Sequence, residues 1–473
     1  MHAEFVYVFR HALLRDAAYQ LQLPGDRARL HGLAFTAIET SCGGRIEVSE
    51  RTENGEFIFR PQASDPFALD LAEHARFAME SARPDTVGRE TTSFLAGRLH
   101  YLRRAAEHLE RRSQPDHARH CWEQLSGLES GAEKGVALRR AGQASQRAGR
   151  TREAETLLQG ALASHRDARD VRAEALTLAA LALLWAETGR VGDAEATFRE
   201  VLRLSQERDD RRLTGMALGQ LAMMCKDAGR FEEALRMHEQ ALSLHRQVGN
   251  RRSEGVELTN LATLYHDTGR HESAERTIEQ AMAIHEEVGD LRSTGIALGN
   301  LGASYAAMGR NEAAARAFER ALMIHQEAGS RRFEGIALGN LAVLYTDTGM
   351  IPKAEQAFER ALAIHRDVGN LRSEGIALGN LAMLHFRIRR FRPAEEAFQR
   401  ALALHRDVGN RAYEGTHLCD YARVLAVQGR SEEARLRWGE GTAVLRELGD
   451  TAELEVQDRA MREECALAGV GAL

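Results

Sequence analysis

Residues 371–410 read LRSEGIALGNLAMLHFRIRRFRPAEEAFQRALALHRDVGN, and stretches of the same plan and length follow one another from about residue 131 to residue 450. One column of alanines shows that the register never slips: Ala154, Ala194, Ala234, Ala274, Ala314, Ala354, Ala394 and Ala434. A period of about 20–50 residues, kept here through eight copies, indicates stacked supersecondary units rather than one compact core.

Each copy contains two segments in which small and apolar residues recur at helical spacing. In the quoted copy these are Leu378, Leu381, Ala382 and Leu384, then Ala394, Phe398, Ala401 and Leu402. Glycine followed by arginine usually separates the two segments, as at Gly229 and Gly269, because glycine tolerates the left-handed conformation that ends a helix. A second glycine column closes the copies at Gly249, Gly289, Gly329, Gly369, Gly409 and Gly449. Each copy is therefore predicted to be a helix-turn-helix hairpin, called a repeat below, with helix A first and helix B second.

The repeats resemble the tetratricopeptide repeat. The residues that carry the resemblance are Leu338, Leu341, Ala342, Tyr345, Gly349, Ala354, Phe358 and Ala361. The period is longer than the family's commoner period of about 34 residues, so about three extra residues are expected in each helix. Residues 372–382 are similar to the long repeats of Pins-like G-protein-signalling modulators and, more loosely, of kinesin light chains. The resemblance implies an all-α solenoid, wound as a right-handed superhelix, that acts as a peptide-binding scaffold.

The array of repeats, 131–450, is expected to need a cover at each end, because a terminal repeat exposes an apolar face that no neighbour buries. Residues 98–130 read as a degenerate helix pair that caps the first end, with Leu102 on one face and Trp122 in the second helix. Residues 451–473 are predicted to be a capping helix and a tail.

The first 97 residues are different in kind and are predicted to be a small mixed segment. Residues 5–9 read as a short strand and residues 11–19 as a helix, followed by another helix from Asp26 onward. Residues 41–66 are expected to be a hairpin or a loop.

The phrase Phe-Arg-His-Ala-Leu-Leu-Arg-Asp-Ala-Ala-Tyr at residues 9–19 resembles the end of the ATPase region in bacterial STAND-type signalling proteins, as does Leu30-His31. In those proteins an ATPase module, sometimes preceded by a protein kinase domain, leads into a repeat array. The sequence contains no Gly-x-x-x-x-Gly-Lys-Ser/Thr loop, so no nucleotide hydrolysis is expected. Two interpretations stay open: a natural remnant, or a longer protein whose true start lies upstream of Met1.

The composition is typical of an intracellular helical scaffold. The chain has 7 prolines, 6% aromatic residues and five scattered cysteines, which favour a reducing cytoplasm over a disulfide framework. No apolar run approaches the ~20 residues that a membrane span requires. The net charge of −6 gives no basic footprint for nucleic acid or an anionic membrane. We expect a cytoplasmic protein with neither a nucleic-acid nor a membrane partner.

The protein is predicted not to be an enzyme, since no His-Glu-x-x-His, Cys-x-x-Cys or Gly-x-Ser-x-Gly motif occurs. Helix B carries a histidine column: His245, His285, His325, His365 and His405. Stacked repeats place equivalent atoms about 8–10 Å apart, whereas zinc ligands lie about 2 Å from one ion. These histidines are therefore predicted to be packing residues, and neither a metal nor a cofactor is expected.

The candidate binding site is a stripe of helix A positions spaced i, i+4, i+8 and i+11, which share one helix face. In repeat 331–370 the stripe is Arg332, Ile336, Asn340 and Val343. Its amide column is Asn260, Asn300, Asn340 and Asn380, flanked by Gln220 and Asp420. The resemblance implies that this column faces a concave groove, where each amide holds the backbone of a partner peptide through its donors and its acceptor. The alternative is that each asparagine bonds to a neighbouring helix.

An arginine column precedes the amide column: Arg212, Arg252, Arg292, Arg332 and Arg372. Arginine near a helix N-terminus opposes the helix macrodipole by a few tenths of a kcal/mol, so a compensating partner is expected. An internal partner would be the preceding helix's C-terminal carbonyls or the column Glu254, Glu334, Glu374 and Glu414. The alternative is an acidic partner peptide held by the guanidinium groups.

Glycines four residues apart interrupt helix A in four repeats: Gly215 and Gly219, Gly295 and Gly299, Gly335 and Gly339, Gly375 and Gly379. Each costs roughly 0.5–1 kcal/mol against alanine, so an offsetting contact is expected. Close approach of adjacent helices and close passage of a bound peptide are the two explanations.

These features predict a non-enzymatic protein-interaction scaffold that binds an extended peptide or partner protein along repeats 211–410. The predicted contacts are Asn260, Asn300, Asn340 and Asn380 with Arg252, Arg292, Arg332 and Arg372. The competing hypothesis is the sensor and oligomerisation arm of a larger signalling ATPase or serine/threonine kinase whose catalytic part is missing. That hypothesis implies association with a STAND-type ATPase or kinase.

Overall fold

A computed structural model describes residues 22–46, 60–80, 89–112 and 114–469. Within these ranges the chain forms α-helices, one short 3₁₀ helix and turns, with no strand. The predicted strand at residues 5–9 and the predicted helix at 11–19 lie outside the described residues, as does half of the predicted hairpin or loop at 41–66. The chain divides into two compact units, residues 1–184 and 185–473, which are described separately. The all-α fold class predicted from the repeat is confirmed.

The repeats consist of 17-residue helices joined by three-residue linkers. Helices A are Gly131–Arg147, Val171–Glu187, Arg211–Asp227, Arg251–Asp267, Leu291–Ala307, Arg331–Asp347, Leu371–Arg387 and Arg411–Val427. Helices B are Thr151–Asp167, Val191–Glu207, Phe231–Gln247, His271–Glu287, Asn311–Glu327, Ile351–Asp367, Phe391–Asp407 and Ser431–Glu447. A further helix, Thr451–Ala468, begins 40 residues after the last helix A and is called the terminal helix below.

The linkers are short because a left-handed residue ends each helix and the next helix starts at once. Gly349 has φ 74° between the two helices of its repeat, and Gly369 has φ 65° after helix B. Arg389 adopts φ 60° where the other repeats have glycine. Asn370 then caps the following helix A, since its side chain accepts a hydrogen bond from the Ser373 backbone N–H at 3.3 Å. The predicted role of both glycine columns is confirmed.

Each repeat buries its apolar face against the next one. Ala354 and Phe358 of helix B are fully buried and cluster with Ala342 of their own helix A and with Leu384 of the following helix A. In the second unit, consecutive helices A also contact each other directly, which consecutive helices B scarcely do. Helices A therefore form the more closely spaced layer, the layer that lies inside any curvature of the stack.

A row of ion pairs ties the linker of one repeat to helix B of the previous one. The arginine at the end of the linker between helices A and B often binds a glutamate 35 residues earlier, as in Arg230–Glu195 at 2.6 Å and Arg390–Glu355 at 2.6 Å. Where this arginine is replaced by Met350, the glutamate position holds Ala315, so neither charge is left alone. Exposed pairs of this kind contribute little stability each, but together they favour one register between neighbours.

The histidine column packs against a glycine column of helix A. A β-carbon built on Gly335 would lie 2.6 Å from the His365 ring, because the two helices of the repeat approach closely at this level. The same pairing joins Gly135 to His165, Gly215 to His245, Gly255 to His285, Gly295 to His325 and Gly375 to His405. The prediction of packing histidines is confirmed, and close helix approach explains the first glycine of each pair.

The first unit holds the helices Pro24–Ser41, Ala68–Glu80, Arg89–Arg111 and Pro115–Leu128, together with the 3₁₀ helix Asp65–Phe67. Leu102 and Trp122, which the sequence placed in the capping helix pair, are buried together with Leu125, and they cluster with Phe35 and Leu71 from the preceding helices. The boundary predicted at residue 97 falls inside the helix Arg89–Arg111, so this element begins earlier than the sequence pattern indicates.

A buried ion pair anchors the start of the first unit. The Arg104 guanidinium donates to the Asp65 carboxylate at 2.5 Å and to the Arg60 carbonyl at 2.8 Å. Both side chains are almost fully buried, so the pair fixes the segment before Ala68–Glu80 against Arg89–Arg111. In the described ranges, no helix is both long enough and apolar enough to cross a membrane.

Acidification is expected to destabilise the array. Burial, as the main cause, lowers the pKa of His245, His285, His325 and His365 from about 6.5, and that of His405 to about 3. Below pH ~6.5 the unfolded chain therefore binds more protons than the folded chain, so the free energy of unfolding falls as the pH is lowered. The stabilisation is complete above pH ~6.5 and is lost as the pH falls towards the folded-state values. The urea midpoint should fall between about pH 7.5 and pH 5.

His365→Gln is the matched variant. The variant should have a lower urea midpoint at about pH 7.5. Its free energy of unfolding should also depend less steeply on pH, by up to about 1.4 kcal/mol per pH unit, because one protonation is missing. A pH dependence as steep as that of the unaltered chain would show that His365 is not one of the groups responsible.

Candidate peptide-binding face

The predicted stripe lies on the layer formed by helices A. In repeat 331–370, Arg332 is exposed, while Ile336, Asn340 and Val343 are half-buried. The equivalent side chains of the neighbouring helices A lie beside them, because consecutive helices A are in direct contact. We call these positions in repeats 251–410 the A face. The structure thus brings the four predicted asparagines and the four predicted arginines onto one continuous surface.

The asparagine column is half-buried throughout: Asn260, Asn300, Asn340 and Asn380. Asn300 donates to the Thr263 hydroxyl of the previous helix A at 2.9 Å. The other three side chains form no hydrogen bond with the described part of the chain. Bonding to a neighbouring helix, the alternative explanation for the column, therefore applies to Asn300 alone.

The flanking positions differ from the column. Asp420 is buried and accepts a hydrogen bond from Arg423 one turn later in the same helix. Gln220 is half-buried, like the asparagines. The column of amides that can bind a ligand therefore ends at Asn380. In the next repeat, the side chain of Asp420 is already hydrogen-bonded within its own helix.

The arginine column lies beside the C-terminal end of helix B of its own repeat. Arg212 donates to the Val248 carbonyl at 3.3 Å, and Arg252 lies 3.5 Å from the Asp290 carboxylate. The carbonyl partner predicted from the sequence is thus in the following helix, not the preceding one. Arg292, Arg332 and Arg372 are exposed and form no ion pair within the described residues.

The glutamate column predicted as the arginines' partner binds other arginines. Glu374 accepts from Arg366 at 2.7 Å, and Glu414 accepts from Arg406 at 2.8 Å and from Arg411 at 2.7 Å. Glu254 and Glu334 are occupied in the same way. The predicted pairing between these glutamates and the arginine column is wrong, because the glutamates point away from the A face towards the junction with the preceding helix B.

The second glycine of each pair has two kinds of surroundings. A β-carbon on Gly219 would collide with the Glu257 carboxylate, and one on Gly379 would collide with the His417 ring. At Gly299 and Gly339 it would meet nothing within 4 Å. Both of these glycines are half-exposed next to an asparagine of the column.

The residue 38 positions later explains the difference. The side chain that covers Gly219 or Gly379 comes from the next helix A, where the other repeats have Ala337 and Ala377. An alanine there is too short to reach across, so the helix backbone stays uncovered at Gly299 and Gly339. The sequence shows this column of alanines, but without the structure nothing connects it to the glycines.

The opposite edge of the A face carries charges that are already paired across neighbouring repeats. Arg387 lies 2.8 Å from Asp347, and Lys226 lies 3.2 Å from Asp267. The charges on this edge thus neutralise each other, whereas the edge with Arg292, Arg332 and Arg372 presents uncompensated positive charge. The described side chains contain no group of three His, Cys, Asp or Glu residues placed to hold a metal ion.

Sequence comparison gives the family. The tetratricopeptide repeat model matches residues 173–247, 213–287, 256–327, 293–367 and 333–407, and a second tetratricopeptide repeat model matches 415–438. Together these matches span more than half of the chain. The chain belongs to the tetratricopeptide repeat family. No match was found among curated proteins.

Two solved Rap structures show the same fold at low identity. A Rap protein complexed with competence and sporulation factor is 13% identical, with a TM-score of 0.54 over 74% of this chain and 98% of that chain. The Rap conjugation gene regulator of the plasmid pLS20, in complex with the Phr* peptide, is 14% identical, with a TM-score of 0.52 over 73% and 96%. The STAND protein with a tetratricopeptide repeat sensor from Pyrococcus horikoshii is 14% identical, with a TM-score of 0.48 over 96% and 68%.

The two glycines of repeat 331–370 should respond oppositely to alanine. Gly335→Ala should destabilise the array by about 1–3 kcal/mol, since the new methyl group overpacks against the His365 ring. Gly339→Ala should stabilise it by about 0.5–1 kcal/mol, because the methyl enters open space and helix propensity improves. Urea unfolding measures both, and a loss of stability in Gly339→Ala would contradict the open site.

Proposed function

We propose that this tetratricopeptide repeat protein is a non-enzymatic scaffold that binds an extended peptide segment of a partner protein on the A face. The contacts are Asn260, Asn300, Asn340 and Asn380, with Arg252, Arg292, Arg332 and Arg372 along one edge. The observation that carries the proposal is the surface of repeats 291–370. There, exposed arginines without an ion-pair partner lie beside asparagine amides and uncovered helix backbone at Gly299 and Gly339.

The chemistry of the face favours backbone recognition. A carboxamide can donate to a peptide carbonyl and accept from a peptide N–H, so it binds an extended chain without selecting its side chains. Adjacent helices lie about 8–10 Å apart, and an extended chain rises about 3.3 Å per residue. One asparagine would therefore contact the peptide at about every third residue.

The arginine edge adds selectivity for charge. A guanidinium group can donate two parallel hydrogen bonds to a carboxylate, and such charge-assisted pairs are stronger than neutral ones. Ile296, Ile336 and Ile376 lie half-buried between the arginine and asparagine columns. The preferred ligand is thus an extended segment with acidic residues on one side and apolar residues beside them.

Two Rap structures of the same fold support this class of ligand. One is complexed with competence and sporulation factor, and the other holds the Phr* peptide. A soluble peptide-binding scaffold of this kind would act in the cytoplasm, which is the location we propose.

The sensor and oligomerisation arm of a signalling ATPase or serine/threonine kinase is the second candidate. It is favoured by the phrase at residues 9–19, which lies outside the described part of the chain. An in-frame phosphate-binding loop in the genomic DNA upstream of Met1 would establish it, and an upstream stop codon in the same frame would exclude it.

Replacing Asn260, Asn300, Asn340 and Asn380 by alanine together should abolish capture of the partner from a source lysate. The reason is that each substitution removes both hydrogen-bonding functions while alanine favours the helix. Quantitative pull-down measures the captured protein, and circular dichroism checks that helicity is unchanged.

The matched control replaces Glu279, Glu319, Glu359 and Gln399 by alanine. These exposed residues lie on helix B of the same four repeats, so the control should capture as much partner as the unaltered chain. Equal capture by the asparagine variant would exclude the A face as the binding surface.

Arg292→Gln, Arg332→Gln and Arg372→Gln together should weaken capture and flatten its dependence on salt. Charge pairs at an exposed edge are screened as ionic strength rises, so the unaltered chain should lose partner between about 50 and 300 mM salt. Binding curves at several salt concentrations measure the effect. Arg320→Gln, Arg360→Gln and Arg400→Gln make the same change of charge on helix B and should alter neither quantity. An unchanged salt dependence in the first variant would mean that the partner does not use this edge.

A further inference from the structure

The terminal helix, Thr451–Ala468, does not pack as a ninth helix A would. Apart from its contacts with helix B of its own repeat, each helix A from Arg251–Asp267 to Arg411–Val427 packs mainly on the preceding helix B and only lightly on the preceding helix A. The terminal helix reverses this order and packs mainly on helix A of the last repeat, Arg411–Val427. It has therefore shifted from the stacking position onto the layer of helices A, which forms the A face in the preceding repeats 251–410.

The buried side of this helix is poor in apolar residues. Beside the half-buried Leu454, one row of inward positions spaced by four contains Glu453, Gln457, Met461 and Cys465. The last three are almost fully buried, and Met461 and Cys465 join the apolar cluster that includes Tyr421 and Leu425. Only half of this seam gains from the hydrophobic effect, whereas a helix A such as Leu371–Arg387 buries leucine, alanine and phenylalanine.

Polar groups under the helix are incompletely satisfied. Arg423 Nη1 lies 3.3 Å from the Glu464 carboxylate. The Gln457 Oε1, Glu464 Oε2 and Arg423 Nε atoms are buried and have no hydrogen-bond partner within the described residues. Glu453 and Glu464 are both partly buried, and this burial is the main cause that raises the pKa of their carboxyl groups. A buried network that is only partly satisfied costs free energy that release into water would return.

We propose that the terminal helix is a displaceable cover, which leaves the last repeat without unfolding it and so uncovers a continuation of the A face. The uncovered surface would carry Thr416, Asp420 and Arg423, the positions equivalent to Ile376, Asn380 and Met383 in the previous repeat. In this respect the inference rests on the proposed function. A ligand that extends along the A face to the last repeat binds in competition with the cover, so the cover sets the ligand's apparent affinity.

Two buried cysteines of the same region separate local release from unfolding. Cys465 lies on the buried seam of the terminal helix. Cys419 lies in the last helix A but faces helix B, since a β-carbon on Gly441 would lie 2.7 Å from its Sγ atom. Departure of the terminal helix exposes Cys465 and leaves Cys419 covered. Loss of the whole repeat exposes both.

The first experiment measures maleimide labelling of each cysteine in the full chain, with sites assigned by peptide mass spectrometry. Cys42→Ser removes the one cysteine of the described residues that is not fully buried. We expect Cys465 to be labelled at least tenfold faster than Cys419, because a local opening needs less free energy than loss of the repeat. Equal rates would overturn the proposal.

Two substitutions shift the cover in opposite directions. Gln457→Leu replaces the unsatisfied amide by an apolar group and should slow Cys465 labelling several-fold, with Cys419 unchanged. Gln457→Met serves the same purpose if leucine proves too wide and lowers the unfolding midpoint. Met461→Ala removes the largest apolar contact of the seam and should accelerate Cys465 labelling. A faster rate in both Gln457 variants would show that the polar seam is not the weak point, contrary to the proposal.

Competition is tested by pull-down with the same variants. Captured partner should increase in the order Gln457→Leu, unaltered chain, Met461→Ala. If the asparagine substitutions abolish capture while these variants leave it unchanged, the cover is not inhibitory and this inference alone fails. If the unaltered chain captures nothing, the proposed binding function fails, and the labelling rates still decide whether the cover is displaceable.

Discussion

No hairpin of this array can bury its own apolar face, and each one depends on its neighbour to do so. Phe358 of one helix B meets Leu384 of the next helix A, and the same contact is possible at every junction because the period never changes. The close approach of helices A and B within a repeat is the second half of this constraint. It requires a glycine under each histidine of the column, as at Gly335 and His365. An insertion of one residue would break both contacts at once, and this explains why the 40-residue period is kept without exception.

The same constraint explains which features could be predicted from the sequence. Helix boundaries, linker glycines and the buried alanine columns are repeated many times, so their period is visible in a single chain. The histidine column was predicted to pack for a different reason, since equivalent atoms of stacked repeats lie too far apart to share one metal ion. The contacts that decide the candidate site are different, because they join residues 38 positions apart in neighbouring repeats. Gly299 is open since Ala337 is short, and Gly379 is closed since His417 is long. These positions are related only by the distance between adjacent helices A, and no local sequence pattern reveals that distance.

The charge pattern distinguishes the arginines that hold neighbouring repeats together from those that remain exposed on the A face. Arginine and glutamate pair at almost every junction, as Arg390–Glu355 and Arg406–Glu414 do, and these pairs fix the register of neighbours more than they add stability. One of the alternatives left open by the sequence was that Glu254 and its equivalents pair with the arginine column, whereas they bind arginines at the junction instead. The column at Arg292, Arg332 and Arg372 is thereby left with positive charge exposed. These three side chains are exposed and form no ion pair within the described residues, and a ligand with carboxylates is their natural complement.

An array that grows by adding identical units meets a conflict at its last repeat. The final helix must cover an apolar face on one side and meet water on the other, so its buried seam cannot be as apolar as that of an internal helix. Here the first half of the seam is polar, with Glu453 and Gln457, and the second half is apolar, with Met461 and Cys465. The helix packs mainly on the last helix A instead of taking the stacking position. That position is also the continuation of the A face. A helix that stabilises the end of the array by packing there therefore covers the surface that a long ligand would use. A more tightly packed terminal helix would make the last repeat more stable and its part of the face less accessible.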